Sequence, residues 1–247
     1  MSSRAGVAIS DADIHAALSR VRDPELDEPI TDLGFVCAVE VNGADAHVRL
    51  RLPTAFCAPN FAYLMVADAM DAVREVPGIG NVSIFLDDHV DSTKINAGVA
   101  AGLGFAGTFP DETESGLEAL RQVFRAKAHL ASIERLVASL MRDHGVLLED
   151  LPHLSLGAVP DSPMATALRH RRADLGLSLD PDAYVLVDEH GERWDTTSLA
   201  VQLRFAKATR ISIDGNAHFC RGLLRTRYPE SAAHQQPRKQ DGLSLSY

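Results

Sequence analysis

Cysteine is scarce in this chain, and long apolar runs are absent. Its 247 residues include three cysteines, Cys37, Cys57 and Cys220, which are too few for a disulfide framework or for four-thiolate cluster ligation within one chain. No apolar stretch reaches the ~20 residues that a membrane-spanning helix needs, and the first residues lack the apolar core of a secretory signal. We therefore expect a cytoplasmic chain with reduced thiols and no membrane partner.

Positive charge is also in short supply. The net charge is −10 at pH 7, which argues against a nucleic acid as partner. Residues 1–108 hold 7 Lys and Arg against 15 Asp and Glu, whereas residues 201–240 hold 8 against 2. An acidic N-terminal part and a locally basic C-terminal part of the chain predict two parts with different roles. Hydrophobic residues make up 46% of the chain, enough to build a core.

The hydrophobic pattern of the first 91 residues predicts a small module of the α+β class. A helix follows the capping pair Ser10 and Asp13, and Asn42-Gly43 joins two strands as a tight hairpin turn. The second strand alternates apolar and polar residues up to Leu52, and a second helix follows Pro59. A third strand spans residues 82–86. The order α-β-β-α-β predicts two helices packed as one layer on a small mixed sheet.

Cys57 lies between the end of a predicted strand and the start of a predicted helix. A helix N-terminus has unpaired N–H groups and partial positive charge, which stabilise a thiolate. Cys57 is therefore a candidate reactive thiol. The alternative is that Cys57 serves as a small buried hydrophobic residue, a common role of reduced cysteine.

Three segments, in order, carry a resemblance to a known family. They are the Asp-Pro-Glu-Leu loop with the following apolar stretch, a strand that ends in a Thr-containing loop with a cysteine and a proline, and a Pro-Gly-Ile turn. In this sequence they are residues 22–36, 52–59 and 77–79. Over about residues 10–90 the chain resembles the PaaD/SufT-like metal–sulfur cluster assembly factors.

The resemblance implies an accessory factor, not an enzyme, that helps deliver an iron–sulfur cluster or iron to a client metalloprotein. Cys57 falls on the family's functional cysteine, and Asp23, Glu25 and Thr54 fall on signature positions in loops expected near it. The cargo would be bound transiently, and the cluster assembly machinery would be a further partner. Members of the PaaD type are associated with multicomponent oxygenases, which makes a diiron oxygenase component the implied client.

The acidic run after the third strand suggests a metal site. Carboxylates and imidazole suit Fe(II), Mn(II) or Zn(II), so Cys57 and His89 could combine with Asp87, Asp88 or Asp91. The alternative is a helix start, with Asp91 or Ser92 as N-cap. One thiol cannot hold a cluster alone, and two Cys57 side chains across a homodimer, with carboxylates or external thiols, could bridge one.

The rear of the chain predicts a mostly helical extension with a short β-hairpin. A long helix is expected over 114–144, a second after Ser162, a hairpin over 183–194, a short strand over 210–213 and a helix from Asp214. The domain boundaries predicted from these patterns are 1–91 for the assembly-factor module, 92–112 for a helix and linker, 113–229 for a C-terminal domain of unknown family, and 230–247 for a disordered tail.

Three functions remain in competition. The first is metal or cluster assembly through Cys57, the second is a cysteine-dependent enzyme with His89 as its base, and the third is a protein–protein adaptor without a metal role. A basic stretch could dock an acidic client, although an ordinary solvated face is the favoured explanation. Its residues are Arg204, Lys207, Arg210, Arg221, Arg225 and Arg227.

Overall fold

A computed structural model describes residues 9–111 and 113–229 of the chain, and its class is α+β as predicted. The chain forms two compact units. One holds the described residues up to Asp23, Glu28–Thr108 and the chain from Ala217; the other holds Pro24–Asp27 and Phe109–Asn216. The predicted tail over 230–247 lies outside the described residues. In the described part of the chain, no helix combines the length and the apolar character needed to cross a bilayer.

The first unit contains the predicted α-β-β-α-β order. Its elements are α1 (Asp11–Leu18), β1 (Arg22–Asp23), β2 (Glu28–Pro29), β3 (Val36–Asn42), β4 (Asp45–Arg51), α2 (Pro59–Arg74), β5 (Val82–Asp87), α3 (Ser92–Ala100) and α4 (Gly104–Thr108). The predicted capping box at α1 is present, because the side chains of Ser10 and Asp13 each accept a hydrogen bond from the other residue's backbone N–H group. The chain from Ala217 adds the last turns of α7 (Leu199–Arg227) to this unit.

The sheet of the first unit has the order β3-β4-β5. β3 and β4 form an antiparallel hairpin around Gly43, whose φ of +67° explains the glycine. β5 pairs in parallel with β4, as expected of strands joined through the helix α2. Val48, Leu50 and Ile84 are buried, whereas Arg49 belongs to the opposite, open face.

Two helices cover the buried face and the end of the sheet. α2 contributes a continuous apolar face to the core, including Leu64, Met65 and Val73. α3 binds the edge of the sheet, because the Asn96 amide accepts a hydrogen bond from the Leu86 N–H at 2.9 Å and donates one to the Leu86 carbonyl at 3.1 Å. These contacts fix the segment that joins β5 to α3.

The second unit is mainly helical. Its elements are α5 (Glu114–Asp143), the 3₁₀ turns Leu151–His153, Leu156–Ala158 and Thr196–Ser198, α6 (Pro163–Asp174) and the first turns of α7. α5 agrees with the helix predicted over 114–144, and the Thr113 side chain caps its N-terminus. Leu136, Leu140 and Leu168 belong to the apolar core that joins α5 and α6 to the following loops.

Two local predictions for this unit need correction. The hairpin over 183–194 is reduced to a turn with a single bridge between Val187 and Arg193. Tyr184 of the same segment forms a separate isolated bridge with Ser155. The strand predicted over 210–213 is wrong, because these residues lie within α7. Arg210 ion-pairs with Asp214 one helical turn later at 2.6 Å and with Glu134 of α5. These contacts favour the helix, although the β-branched residues of this stretch are typical of a strand.

Candidate site at Cys57

Cys57 lies in the loop between β4 and α2, as the sequence predicts, and its side chain is partly exposed. The helix begins at Pro59, and Ala58 at the N-cap provides no side-chain hydrogen bond. The first turn of α2 also lacks acidic residues. The positive end of the α2 dipole is therefore not neutralised by a side chain of that turn, which favours a thiolate nearby.

Hydrogen bonds tie the Cys57 loop to the segment after β5. The Val90 N–H donates to the Ala55 carbonyl at 3.0 Å, and Nε2 of His89 is 2.8 Å from the Cys57 carbonyl oxygen. Nδ1 of His89 accepts from the Asp91 N–H at 3.1 Å. Because a carbonyl only accepts and a backbone N–H only donates, these partners assign His89 as the neutral tautomer with its proton on Nε2.

The end of α7 braces the same segment. The Tyr228 hydroxyl donates to Asp88 Oδ2 at 2.9 Å, and the Arg227 guanidinium donates to the carbonyls of Asp88 and, at 3.2 Å, Leu52. Asp88 has a φ of +53°, a conformation that costs a non-glycine residue energy unless its surroundings hold it. The Arg51 guanidinium lies 4.7 Å from the centre of the Tyr228 ring.

Asp87 lies by Cys37 on the open face of the sheet. Arg49 binds the Asp87 carboxylate through Nε at 2.9 Å and Nη2 at 3.0 Å, and the Cys37 sulfur is 4.0 Å from Asp87 Oδ2. Burial raises the pKa of the Cys37 thiol above its usual value, and Asp87 adds to this shift while Arg51 and Arg49 oppose it. Cys37 therefore has the character of a protonated, structural thiol at neutral pH.

The five predicted metal ligands are not gathered into one site in this structure. Among residues 9–111 and 113–229, no three His, Cys, Asp or Glu side chains are grouped so that they could hold a metal ion. Both ring nitrogens of His89 are engaged by backbone groups, and Asp88 accepts from Tyr228. Asp91 is the N-cap of α3, as the alternative prediction had it, although its side chain makes no capping bond.

The three supporting residues have different surroundings. Thr54 is in the Cys57 loop, where its Oγ1 accepts from the Phe56 N–H at 3.3 Å, a contact typical of a tight turn. Asp23 ends β1 and is buried at 5% exposure. Glu25 belongs to the second unit, where the Asn216 amide donates to its carboxylate at 3.3 Å.

Apolar side chains are exposed beside the thiol. Phe56, which precedes Cys57, is 79% exposed, and Val90 is 60% exposed. The Val90 N–H to Ala55 hydrogen bond brings these two segments together. The sequence analysis did not single out these residues, although an aromatic residue in a loop beside a candidate thiol is a usable signal of a docking surface. It also missed Tyr228, which no local pattern connects to a loop 140 residues earlier.

The basic stretch is partly engaged within the protein. Arg210 pairs with Glu134 and Asp214 in the second unit. In the first unit Arg221 pairs with Glu28, and Arg227 binds backbone carbonyls. These three guanidiniums therefore serve the fold, which weakens the hypothesis that the stretch as a whole is a docking surface for an acidic client.

The comparisons with known proteins agree with the motifs. Residues 11–84 match the family model described as "Iron-sulfur cluster assembly protein". No curated protein matches the chain. The matched segment runs from α1 into β5 and includes the Cys57 loop. Residues 11–84 are thus similar to the iron–sulfur cluster assembly protein family, and this match supports a general role in iron–sulfur cluster assembly.

Proposed function

We propose that this protein is a cytoplasmic accessory factor that receives an iron–sulfur cluster or iron from the assembly machinery and passes it to a client metalloprotein. Cys57 is the transfer thiol. The observation that carries the proposal is the placement of a partly exposed cysteine directly before α2, within the segment that matches the assembly family.

The surroundings of Cys57 suit a thiol that binds iron for a short time. The N-terminal end of α2 favours the thiolate, which is the form that binds metal. The hydrogen bonds from Val90 and His89 hold the backbone of the loop and leave the metal-binding role to the sulfur. Because the described residues form no group of three or more His, Cys, Asp or Glu side chains that could hold the iron, the cargo can leave once a client offers more thiolates.

Transfer by ligand exchange needs no electron source. The Cys57 thiol releases its proton as its sulfur replaces a donor thiolate on the iron. A client thiolate then replaces Cys57, and the freed thiolate takes up a proton. The number of iron–sulfur bonds and the oxidation state of the iron are the same before and after each exchange.

The exposed pair Phe56 and Val90 provides the contact surface for a client. An apolar patch beside the thiol would bring the client's ligands close to the cargo. The resemblance to the PaaD type makes the iron-containing component of a multicomponent oxygenase the first client to test.

Among the alternatives, a cysteine-dependent enzyme has the weaker support. Its base would be His89, but the Nε2 proton of that ring is directed to the Cys57 carbonyl oxygen and Nδ1 accepts from a backbone N–H. In this arrangement neither nitrogen is available to take the thiol proton. An adaptor without a metal role would work equally well without the Cys57 sulfur, and this is the difference that the experiment uses.

The test is anaerobic reconstitution of the full chain with iron, sulfide and a small thiol. Visible absorbance and iron and sulfide analysis measure cargo binding, and activation of an apo client measures transfer. We expect Cys57→Ser to lose both. Cys37→Ser and Cys220→Ser are matched controls, since they remove the same atom elsewhere, and both should retain cargo and transfer. Unchanged client activation by Cys57→Ser would overturn the proposal and favour an adaptor.

A further inference from the structure

The backbone of the Cys57 loop is held by the segment that follows β5. The Val90 N–H donates to the Ala55 carbonyl at 3.0 Å. Nε2 of His89 donates to the carbonyl of Cys57 itself at 2.8 Å. That carbonyl belongs to the planar peptide that leads into Ala58, the N-cap of α2. The hydrogen bond from His89 therefore fixes the backbone from which the sulfur extends, at the point where the chain enters the helix.

The ring of His89 is itself fixed in orientation. The residue is 5% exposed, and Nδ1 accepts from the Asp91 N–H at 3.1 Å. A neutral imidazole that accepts at one nitrogen must carry its proton on the other. The ring thus directs a single N–H to the Cys57 carbonyl.

The end of α7 supports the residue before His89. Asp88 has a φ of +53°, which its surroundings must maintain. The Tyr228 hydroxyl donates to the Asp88 carboxylate at 2.9 Å. The Arg227 guanidinium donates to the Asp88 carbonyl and to the carbonyl of Leu52, which precedes the Cys57 loop. These contacts hold the segment that carries His89 against the start of the loop.

We propose that His89 is a positioning residue for the Cys57 thiol. By holding the Cys57 carbonyl, it keeps the sulfur at the N-terminal end of α2, where a thiolate is stabilised. Its importance for iron transfer rests on the proposed function, in which Cys57 is the transfer thiol. This role differs from that of a metal ligand or a general base, because backbone groups engage both ring nitrogens.

Two variants of similar size separate the hydrogen bond from the bulk of the side chain. His89→Gln keeps an N–H donor, whereas His89→Met fills similar space without one. The measurement is the rate at which iodoacetamide alkylates Cys57 in the full chain at neutral pH, by mass spectrometry of tryptic peptides. We expect His89→Met to slow this reaction by about threefold to tenfold and His89→Gln to stay within about twofold of the parent.

Cys37 in the same sample is the internal reference, because unfolding would expose its partly buried thiol and raise its rate. The matched control is His47→Met, since His47 is exposed on β4 of the same unit, and it should leave the Cys57 rate unchanged. A role limited to closing the loop predicts the opposite result, because a loosened loop gives the reagent more access.

An unchanged or faster reaction of Cys57 in His89→Met would overturn the proposal. So would a His89→Gln variant as slow as His89→Met. Alkylation needs no iron, so its outcome is separate from the reconstitution of Cys57→Ser, which tests the transfer role.

Discussion

Cys57 and Cys37 show how two thiols of one small unit acquire different chemistry. Cys37 is in a strand, where its sulfur contacts the Arg49 carbonyl oxygen at 3.2 Å and burial raises its pKa. Cys57 lies before a helix whose positive end has no acidic residue in the first turn. The contrast is therefore one of local surroundings, since both side chains are partly exposed.

We expect Cys57 to be alkylated about threefold to tenfold faster than Cys37 at neutral pH, because burial raises the pKa of the Cys37 thiol and the N-terminal end of α2 favours a thiolate at Cys57. The measurement is mass spectrometry of tryptic peptides after timed exposure to iodoacetamide. Cys57→Ser should remove the fast phase and leave the modification rate of Cys37 unchanged. A faster reaction at Cys37 would contradict the role of the helix end.

The position of Cys57 could be predicted from the sequence, because a proline at a helix start and an alternating strand place it between them. The surroundings of Asp87 could not be predicted by treating the acidic run as one cluster. β5 continues to Asp87, so alternation directs this side chain to the face of Arg49 and Cys37. The positive φ of Asp88 then turns the chain away from the strand, and His89 meets the Cys57 loop.

At the scale of elements, α5 and α7 differ in how far the sequence specifies them. α5 has a cap and a sustained helical period, and its bounds were predicted within a residue. α7 has β-branched Ile211 and Ile213 in alternation, a pattern typical of a strand. The ion pairs of Arg210 with Glu134 and of Arg135 with Asp214 join α7 to α5. Local propensity does not include such contacts between segments that are distant in the sequence.

The hydrogen bond between Tyr228, at the end of α7, and Asp88 should stabilise the segment that holds the Cys57 loop. Tyr228→Phe removes the hydroxyl that bonds Asp88 and should lower the free energy of unfolding by about 1 kcal/mol in chemical denaturation. Asp88→Asn is the matched control, because asparagine keeps an acceptor oxygen and tolerates positive φ, and it should stay close to the parent. A neutral Tyr228→Phe together with a destabilising Asp88→Asn would contradict this bracing role.

The contribution of Tyr228 to the free energy of unfolding also depends on pH. Burial, helped by the hydrogen bond to Asp88, raises the pKa of Tyr228 from 10.0 to about 12. The unfolded chain therefore loses the phenolic proton first as the pH rises, so the Tyr228 contribution to stability is complete below about pH 10 and is lost between pH 10 and 12. In denaturation measured across this range, Tyr228→Phe should lack that part of the decline.

At the scale of the whole molecule, the scarcity of thiols constrains how a cluster is bound. Iron–sulfur clusters are held by four cysteine thiolates in most proteins, and one chain offers Cys57 alone at the proposed site. Cys37 contacts Asp87 on the open sheet face, and Cys220 is carried by α7. We therefore expect a cluster bound through Cys57 to take its other thiolates from a second chain, from small thiols, or from both.

We expect cluster loading to convert this protein into a dimer with one cluster per two chains, bridged by two Cys57 thiolates and completed by added glutathione. Light scattering after anaerobic gel filtration, combined with iron and sulfide analysis, measures mass and stoichiometry in the same fraction. Loading without glutathione should be weaker, because the two remaining positions lack ligands. Cys57→Ser should stay in the state of the apo protein, whereas Cys220→Ser should dimerise like the parent. A cluster on a monomer at one per chain would contradict the shared site, because it would require ligands that residues 9–111 and 113–229 of one chain do not bring together.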